Sequence, residues 1–304
     1  MSGVQERGMT SGGAPTGPGV VAAPPMPAEE LRAALYAGAL LRLPPSPGSL
    51  ALVARARALL QAELGPAPRE AYLKMAPSAL FAALGRVRRA LYLSPEAHAE
   101  IAQTLADHGL DPIEYAVDPA RLRVVHPRGE QEPAAAAVYA VHRDTWYGHP
   151  SALITWWIPL DDLPPEQTFV FWPERLDLPV DNDSEAFDYD VWVAKGWSLK
   201  IGWQDPEAGK TARYPAFLGD RAALGPGVGF ACRRGESLLF SGAHLHGTRA
   251  HAAPLTRFSL DLRVAHLGDV AAGRGAPRVD DRSRGSSLGD YVRLATVWPR
   301  SKTA

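Results

Sequence analysis

Apolar residues recur at helical spacing through the first third of the chain and at alternate positions through much of the rest. Pro27 with Glu29 and Glu30 opens a helix, and Leu31, Leu35 and Leu40-Leu41 carry it forward until Pro44, Pro45 and Pro47 stop it. Leu50, Val53 and Leu59-Leu60 continue the period over 49–64, and a third helical region over 69–93 is interrupted at Pro77. Ser94, Pro95 and Glu96 read as an N-cap, a first helical position and a first-turn acid of a further helix ending near His108 and Gly109. After Asp111 and Pro112 the texture changes to short runs of β-branched and aromatic residues between Gly, Pro and Asp clusters. Strands are predicted near 121–126, 136–142, 151–158, 167–172, 191–203, 228–233, 236–241, 244–248 and 256–264, and a last short helix begins at Ser287.

Many short strands with no helices between them suggest a sandwich or jelly roll, and helices first with strands later make the chain α+β overall. Residues 1–27, rich in Gly, Ala and Pro, read as a disordered leader. The remainder, 28–304, reads as a single domain with a helical part over 28–110 and a jelly-roll part over 111–304. Lys plus Arg number 32 against 33 for Asp plus Glu, a net charge of -1 that gives no electrostatic reason to expect nucleic acid or an anionic membrane as partner. A small-molecule substrate is the partner expected; oligomeric state is not legible. The lone cysteine, Cys232, cannot form an internal disulfide and sits in an apolar run, so it reads as a buried small hydrophobe. With no apolar h-region near the start and no apolar stretch approaching the ~18 residues a bilayer demands, a cytoplasmic location is expected.

Two segments carry chemistry. In the first, His142 and Asp144 are two apart, so on a strand an imidazole and a carboxylate point the same way. In the second, 236–248 contains His244 and His246, and 256–264 alternates cleanly, with Phe258, Leu260, Leu262 and Val264 on one face and Arg257, Ser259, Asp261 and Arg263 on the other. That polar face would ordinarily meet solvent; inside a small barrel it can line a site instead. Two imidazoles and one carboxylate on one side of a ferrous ion leave open positions, the facial arrangement of non-haem iron oxygenases. A 2-oxo acid would fill two of those positions and O2 a third. Its far carboxylate then needs a planar two-point donor, a role suited to Arg257, with the Ser259 hydroxyl beside it.

His142-x-Asp144, the distal His246 and Arg257-x-Ser259 resemble the motif set of the Fe(II)/2-oxoglutarate-dependent oxygenases, and 243–261 is most similar to the phytanoyl-CoA dioxygenase-like branch. The likeness covers roughly 120–266. It implies a double-stranded β-helix (a cupin-like jelly roll) with the N-terminal helices packed outside. It also implies His142, Asp144 and His246 as metal ligands, Arg257 and Ser259 as cosubstrate contacts, and Fe(II), 2-oxoglutarate and O2 as cofactor and cosubstrates. The implied activity is a dioxygenase that oxidises a small molecule, as in secondary metabolism. In the family's halogenases the metal carboxylate is replaced by Ala or Gly; Asp144 is present, which favours hydroxylation.

Alternatives stay open. His244 shares strand parity with His246 and rivals it as the distal ligand. Trp146 and Tyr147 sit where a substrate could stack, although aromatic residues ordinarily pack in cores. The 181–205 stretch reads as a surface loop running into a strand, or as a lid. A cupin-type metal dioxygenase would keep the triad without needing Arg257, and a non-catalytic jelly-roll binding module would need neither.

Overall fold

The computed structural model describes residues 19–131, 136–194 and 214–298. Its first elements are β1 (Val20–Ala22), α1 (Ala28–Tyr36), β2 (Leu40–Leu43), α2 (Pro47–Leu64), α3 (Pro77–Leu93) and α4 (Pro95–Asp107). Local chemistry sets their ends. Ser46 accepts a hydrogen bond from the Ser49 N–H while the Ser49 hydroxyl returns to the Ser46 amide, a reciprocal cap with Pro47 at the first helical position of α2. Ser94 caps α4 through the Ala97 N–H at 3.1 Å, as its sequence predicts.

One prediction fails in this half. The first helix does not continue through Leu40-Leu41. Gly38 takes φ of 102°, a conformation that favours glycine, and the chain leaves the helix there. Leu40–Leu43 then runs extended, with Leu40 packed among aromatic residues and Leu41 and Leu43 in the helix-covered core. It pairs with β1, which lies inside the stretch expected to be a leader.

The later elements are β3 (Tyr115–Val125), α5 (Ala136–Tyr139), β4 (Leu153–Pro159), β5 (Phe169–Phe171), α6 (Tyr189–Ala194), β6 (Ser237–Ser241), β7 (His246–Thr248), β8 (Arg257–His266), α7 (Leu267–Ala271) and β9 (Val292–Arg293). Two predicted strands are corrected. The alanine-rich stretch near 136–142 is helical over Ala136–Tyr139, in keeping with alanine's high helix propensity, and only His142 pairs, in a single bridge to His246. Residues 189–194 are helical too, and 195–203 lie outside the described residues. The run near 228–233 contributes isolated bridges at Val228 and Cys232. The short helix expected from Ser287 forms as a single 3-10 turn.

Seven strands make one mixed sheet in the order β1-β2-β6-β4-β8-β3-β9, and β5 with β7 makes a second. From β3 onward the chain alternates between them: β3 in the large sheet, His142 against the small one, then β4 large, β5 and Val228 small, β6 large, β7 small and β8 large. One face of the large sheet is covered by the helices through Leu52, Leu84, Val87, Leu91 and Ile101 against Trp156, Leu239, Leu260 and Val264. Its other face meets the small sheet through Trp157, Leu238 and Phe240 against Phe169 and Phe171. Cys232 lies buried in this second cluster, as expected.

Candidate metal centre

The pairing of His142 with His246 brings two distant segments of the chain together. His142 N–H donates to the His246 carbonyl at 2.9 Å and His246 N–H to the His142 carbonyl at 3.0 Å. The two rings stand 4.3 Å apart, centre to centre. Just after the bridge the chain enters a 3-10 turn, Asp144–Tyr147, which swings the Asp144 carboxylate to the same point. One ligand atom from each of His142, Asp144 and His246 lies within 4.8 Å of the other two, the only such grouping of metal-binding side chains among the described residues.

The surroundings fix how each group presents itself. The Nδ1 of His142 lies 3.0 Å from the Ala140 carbonyl, and that of His246 lies 2.9 Å from the His244 carbonyl. A carbonyl only accepts, so both Nδ1 atoms carry the hydrogen and each Nε2 keeps its lone pair. Orientation of this kind is what a metal-binding imidazole requires of its neighbours. Burial, aided by the neighbouring His246, pulls the His142 pKa down to about 3 against the opposing pull of Asp144, so the ring is neutral at physiological pH. Burial lowers His246 as well.

Burial alone would push the Asp144 carboxyl up. The Arg263 guanidinium, with His246 and His142, outweighs that and holds it well below the usual carboxylate range. Arg263 donates to Asp144 Oδ1 at 3.1 Å, and the Thr155 hydroxyl donates to Oδ2 at 2.6 Å. Both oxygens are therefore tethered. Neither Arg263 nor Thr155 was assigned a role from the sequence. The alternating face of 257–263 held the signal for Arg263, but Thr155 comes from β4, whose register against β8 sets Thr155 opposite Arg263.

His244 is not part of the group. Its Nε2 reaches the Gly38 carbonyl at 3.1 Å and its Nδ1 the Ser241 hydroxyl at 3.0 Å, so both ring nitrogens are engaged. The ring locks the turn between β6 and β7 to the end of α1.

Arg257 and Ser259 stand on the inner face of β8, as alternation requires. Arg257 is buried, with its Cζ 5.9 Å from the Trp157 ring centre; Trp157 touches Phe169, which touches His246. Asp261, two alternations along the same face, is held by Arg123 rather than by Arg257. Arg257 Nη1 makes one long hydrogen bond of 3.3 Å to the Gln167 carbonyl. Arg257 Nε and the Ser259 hydroxyl have no hydrogen-bond partner among the described residues although both are buried. Burial pulls the guanidinium down to about 10 against the opposing pull of Asp261 and Tyr139. Buried polar groups rarely go unpaired, so these two call for an acceptor, and an anion suits both.

The two aromatic residues after Asp144 part ways. Trp146 is completely buried, and its indole N–H donates to Asp280 at 2.9 Å. Tyr147 stacks on His142 with ring centres 5.1 Å apart. The 181–194 part of the segment considered as a loop or lid also reaches the site, because Phe187 packs on Tyr147.

No family model and no curated protein matches the sequence. Solved structures with a similar chain path include SnoN, a non-heme alpha ketoglutarate dependent epimerase from nogalamycin biosynthesis, at 18% identity and TM-score 0.40 over 87% of this chain and 97% of that one. SnoN in complex with Fe3+, alpha ketoglutarate and nogalamycin RO gives 16% identity and TM-score 0.38 over 90% and 91%. SnoK, a non-heme alpha ketoglutarate dependent carbocyclase from nogalamycin biosynthesis, gives 17% identity and TM-score 0.40 over 80% and 87%.

Proposed function

We propose that the chain is a non-haem Fe(II)- and 2-oxoglutarate-dependent oxygenase of small molecules, built on a double-stranded β-helix. The alternation of β3 to β8 between two facing sheets supports that fold. The observation that carries the activity is the convergence of His142, Asp144 and His246, with Arg257 Nε and the Ser259 hydroxyl left without partners on the same inner face. Two neutral imidazoles and one carboxylate match the facial triad of ferrous oxygenases. The unpaired guanidinium favours this reading over a metal dioxygenase that takes no 2-oxo acid, and over a binding module without a metal.

His142 and His246 would donate through Nε2, and Asp144 through Oδ1, in this assignment. Arg257 and Ser259 would clamp the distal carboxylate of 2-oxoglutarate, which sets the keto end toward the triad. Bound there, Fe(II) with 2-oxoglutarate and O2 would supply a two-electron oxidation that releases succinate and CO2 and places one oxygen atom in a substrate C–H bond. Arg263 and Thr155 keep Asp144 ionised and in one rotamer throughout. The rings of Phe169, Phe171 and Phe240 around His246 keep water off one side of the centre. Hydroxylation is placed ahead of halogenation because Asp144 occupies the position a halide would need.

The test is succinate release from 2-oxoglutarate with Fe(II) under air. Wild type should turn over, and Asp144→Ala should fall to the level of buffer with Fe(II). Equal succinate from both proteins would refute the assignment.

A further inference from the structure

The inner face of β3 and β8 holds more charge than the triad and the cosubstrate anchor use. Asp118 and Arg121 both point inward although three residues apart, because a bulge between them breaks the strand's alternation. Arg121 forks onto Asp118 at 2.8 and 3.0 Å. Arg263 spans Asp118 and Asp144. Arg257 is left for 2-oxoglutarate. Arg123 remains, opposite Ser259 in the β3–β8 register, its Nε held by Asp261.

Four guanidinium groups thus face three carboxylates among the described residues of this surface. Fe(II) and dianionic 2-oxoglutarate would cancel each other, so the described residues of the loaded site would keep a surplus positive charge. Arg123 is where that surplus is accessible. Its side chain is 37% exposed, against 6% for Arg263, and its terminal nitrogens make no hydrogen bond among the described residues. Its partner Asp261 lies two residues along the same face of β8 from Arg263, which holds Asp144, and this sets Arg123 on the side of the triad.

Beside the triad stands a closed set of four rings. Tyr147 contacts Phe187 at 6.3 Å and Tyr214 at 5.4 Å, and Trp192 contacts Phe187 at 6.3 Å and Tyr214 at 5.9 Å. Tyr147, which also stacks on His142, joins this wall to the metal ligands. We propose that the substrate is a carboxylic acid with an aromatic or other flat ring, its carboxylate held by the terminal nitrogens of Arg123 and its ring laid on the Tyr147–Phe187–Trp192–Tyr214 wall. This rests on the oxygenase reading for its placement beside the triad. It fits a guanidinium whose Nε is already spent and whose two remaining nitrogens match the planar fork of a carboxylate.

The test uses the full chain loaded with Co(II) and saturating 2-oxoglutarate, with 3-phenylpropanoate and 3-phenylpropanamide as matched probes in calorimetric titrations. The acid should bind about tenfold or more tighter than the amide, the size of one charge-assisted contact. The preference should vanish in an Arg123→Gln/Asp261→Asn double variant, which leaves no orphaned carboxylate, and persist in Arg123→Lys. Equal binding of acid and amide, no saturable binding of the acid, competition between the acid and 2-oxoglutarate, or a preference that survives the double variant overturns the proposal. The 2-oxoglutarate titration is read separately. If 2-oxoglutarate fails to bind while the acid keeps its Arg123-dependent preference, the oxygenase reading falls and the anion subsite stands.

Discussion

The imidazoles of the centre spend their Nδ1 hydrogens on main-chain carbonyls, and burial then keeps the rings neutral. Such histidines make the fold sensitive to acid in a defined direction. The folded-state pKa values of His142 and His149 are pulled down to about 3 and that of His244 to about 4, while an unfolded histidine titrates near 6.5. Between those limits the unfolded chain binds more protons, so stability is complete above the unfolded value and is lost as pH falls toward the folded one. Each ring costs up to ~1.4 kcal/mol per pH unit in that window. Asp144, held low by Arg263 against its burial, adds a further loss only below the usual carboxylate range. Thermal melts of the metal-free protein should therefore fall steeply from pH 6 to pH 4 and stay nearly level from pH 7 to pH 8; a flat profile across the acid range would contradict it. Arg257→Gln tests the other end of the site. It removes a charge-assisted donor pair worth about 2 kcal/mol or more, so KM for 2-oxoglutarate should rise roughly tenfold to a hundredfold with a smaller change in kcat, as steady-state succinate assays would read.

The elements that carry the site are short, and they are held by contacts that lie far apart in sequence. Arg143, between two triad members, is buried and points away from them. Its guanidinium donates to the carbonyls of Arg175, Leu176, Leu178 and Ala243 and to Asp280, which also takes the Trp146 and Val180 N–H groups. Arg143→Ala should cost about 3 kcal/mol or more in urea denaturation and weaken metal binding along with it. In the helical layer, α2 lies so close to α4 that a Cβ on Gly48 would meet the Thr104 backbone nitrogen at 2.4 Å. Gly48→Ala should accordingly lower the melting temperature by several degrees, although Gly48 is remote from the centre. These dependencies explain what was readable. Alternation along 257–264 gave the inner and outer faces of β8, and the motif spacing singled out the triad residues, because both signals are local. The exit of α1 at Gly38, the helix at Ala136–Tyr139 and the bulge that turns Asp118 inward were not readable, since each depends on what the segment packs against. His244 and His246 share strand parity, and the partners that engage the His244 ring, the Gly38 carbonyl from the end of α1 and the Ser241 hydroxyl, are not local signals of the motif.

At the scale of the molecule, the helices and the large sheet bury one apolar core between them, with Leu84, Val87 and Ile101 set against Trp156, Leu239 and Leu260. A fragment beginning at residue 111 would expose that sheet face, so it should aggregate on expression where the full chain does not; a monomeric, cooperatively melting fragment would contradict this. No described helix is long and apolar enough to cross a membrane. The arrangement is a helix-backed sheet whose other face closes over a polar interior, with the triad where the small sheet meets it. In this arrangement His142, Asp144 and His246, and not His244, are expected to hold one divalent ion. Anaerobic Fe(II) titration of the wild type, His244→Ala and His246→Ala measures it directly. One ion per chain in the first two proteins and no stoichiometric ion in the third is the predicted result; an ion retained by His246→Ala and lost by His244→Ala, or none held by the wild type, would contradict it.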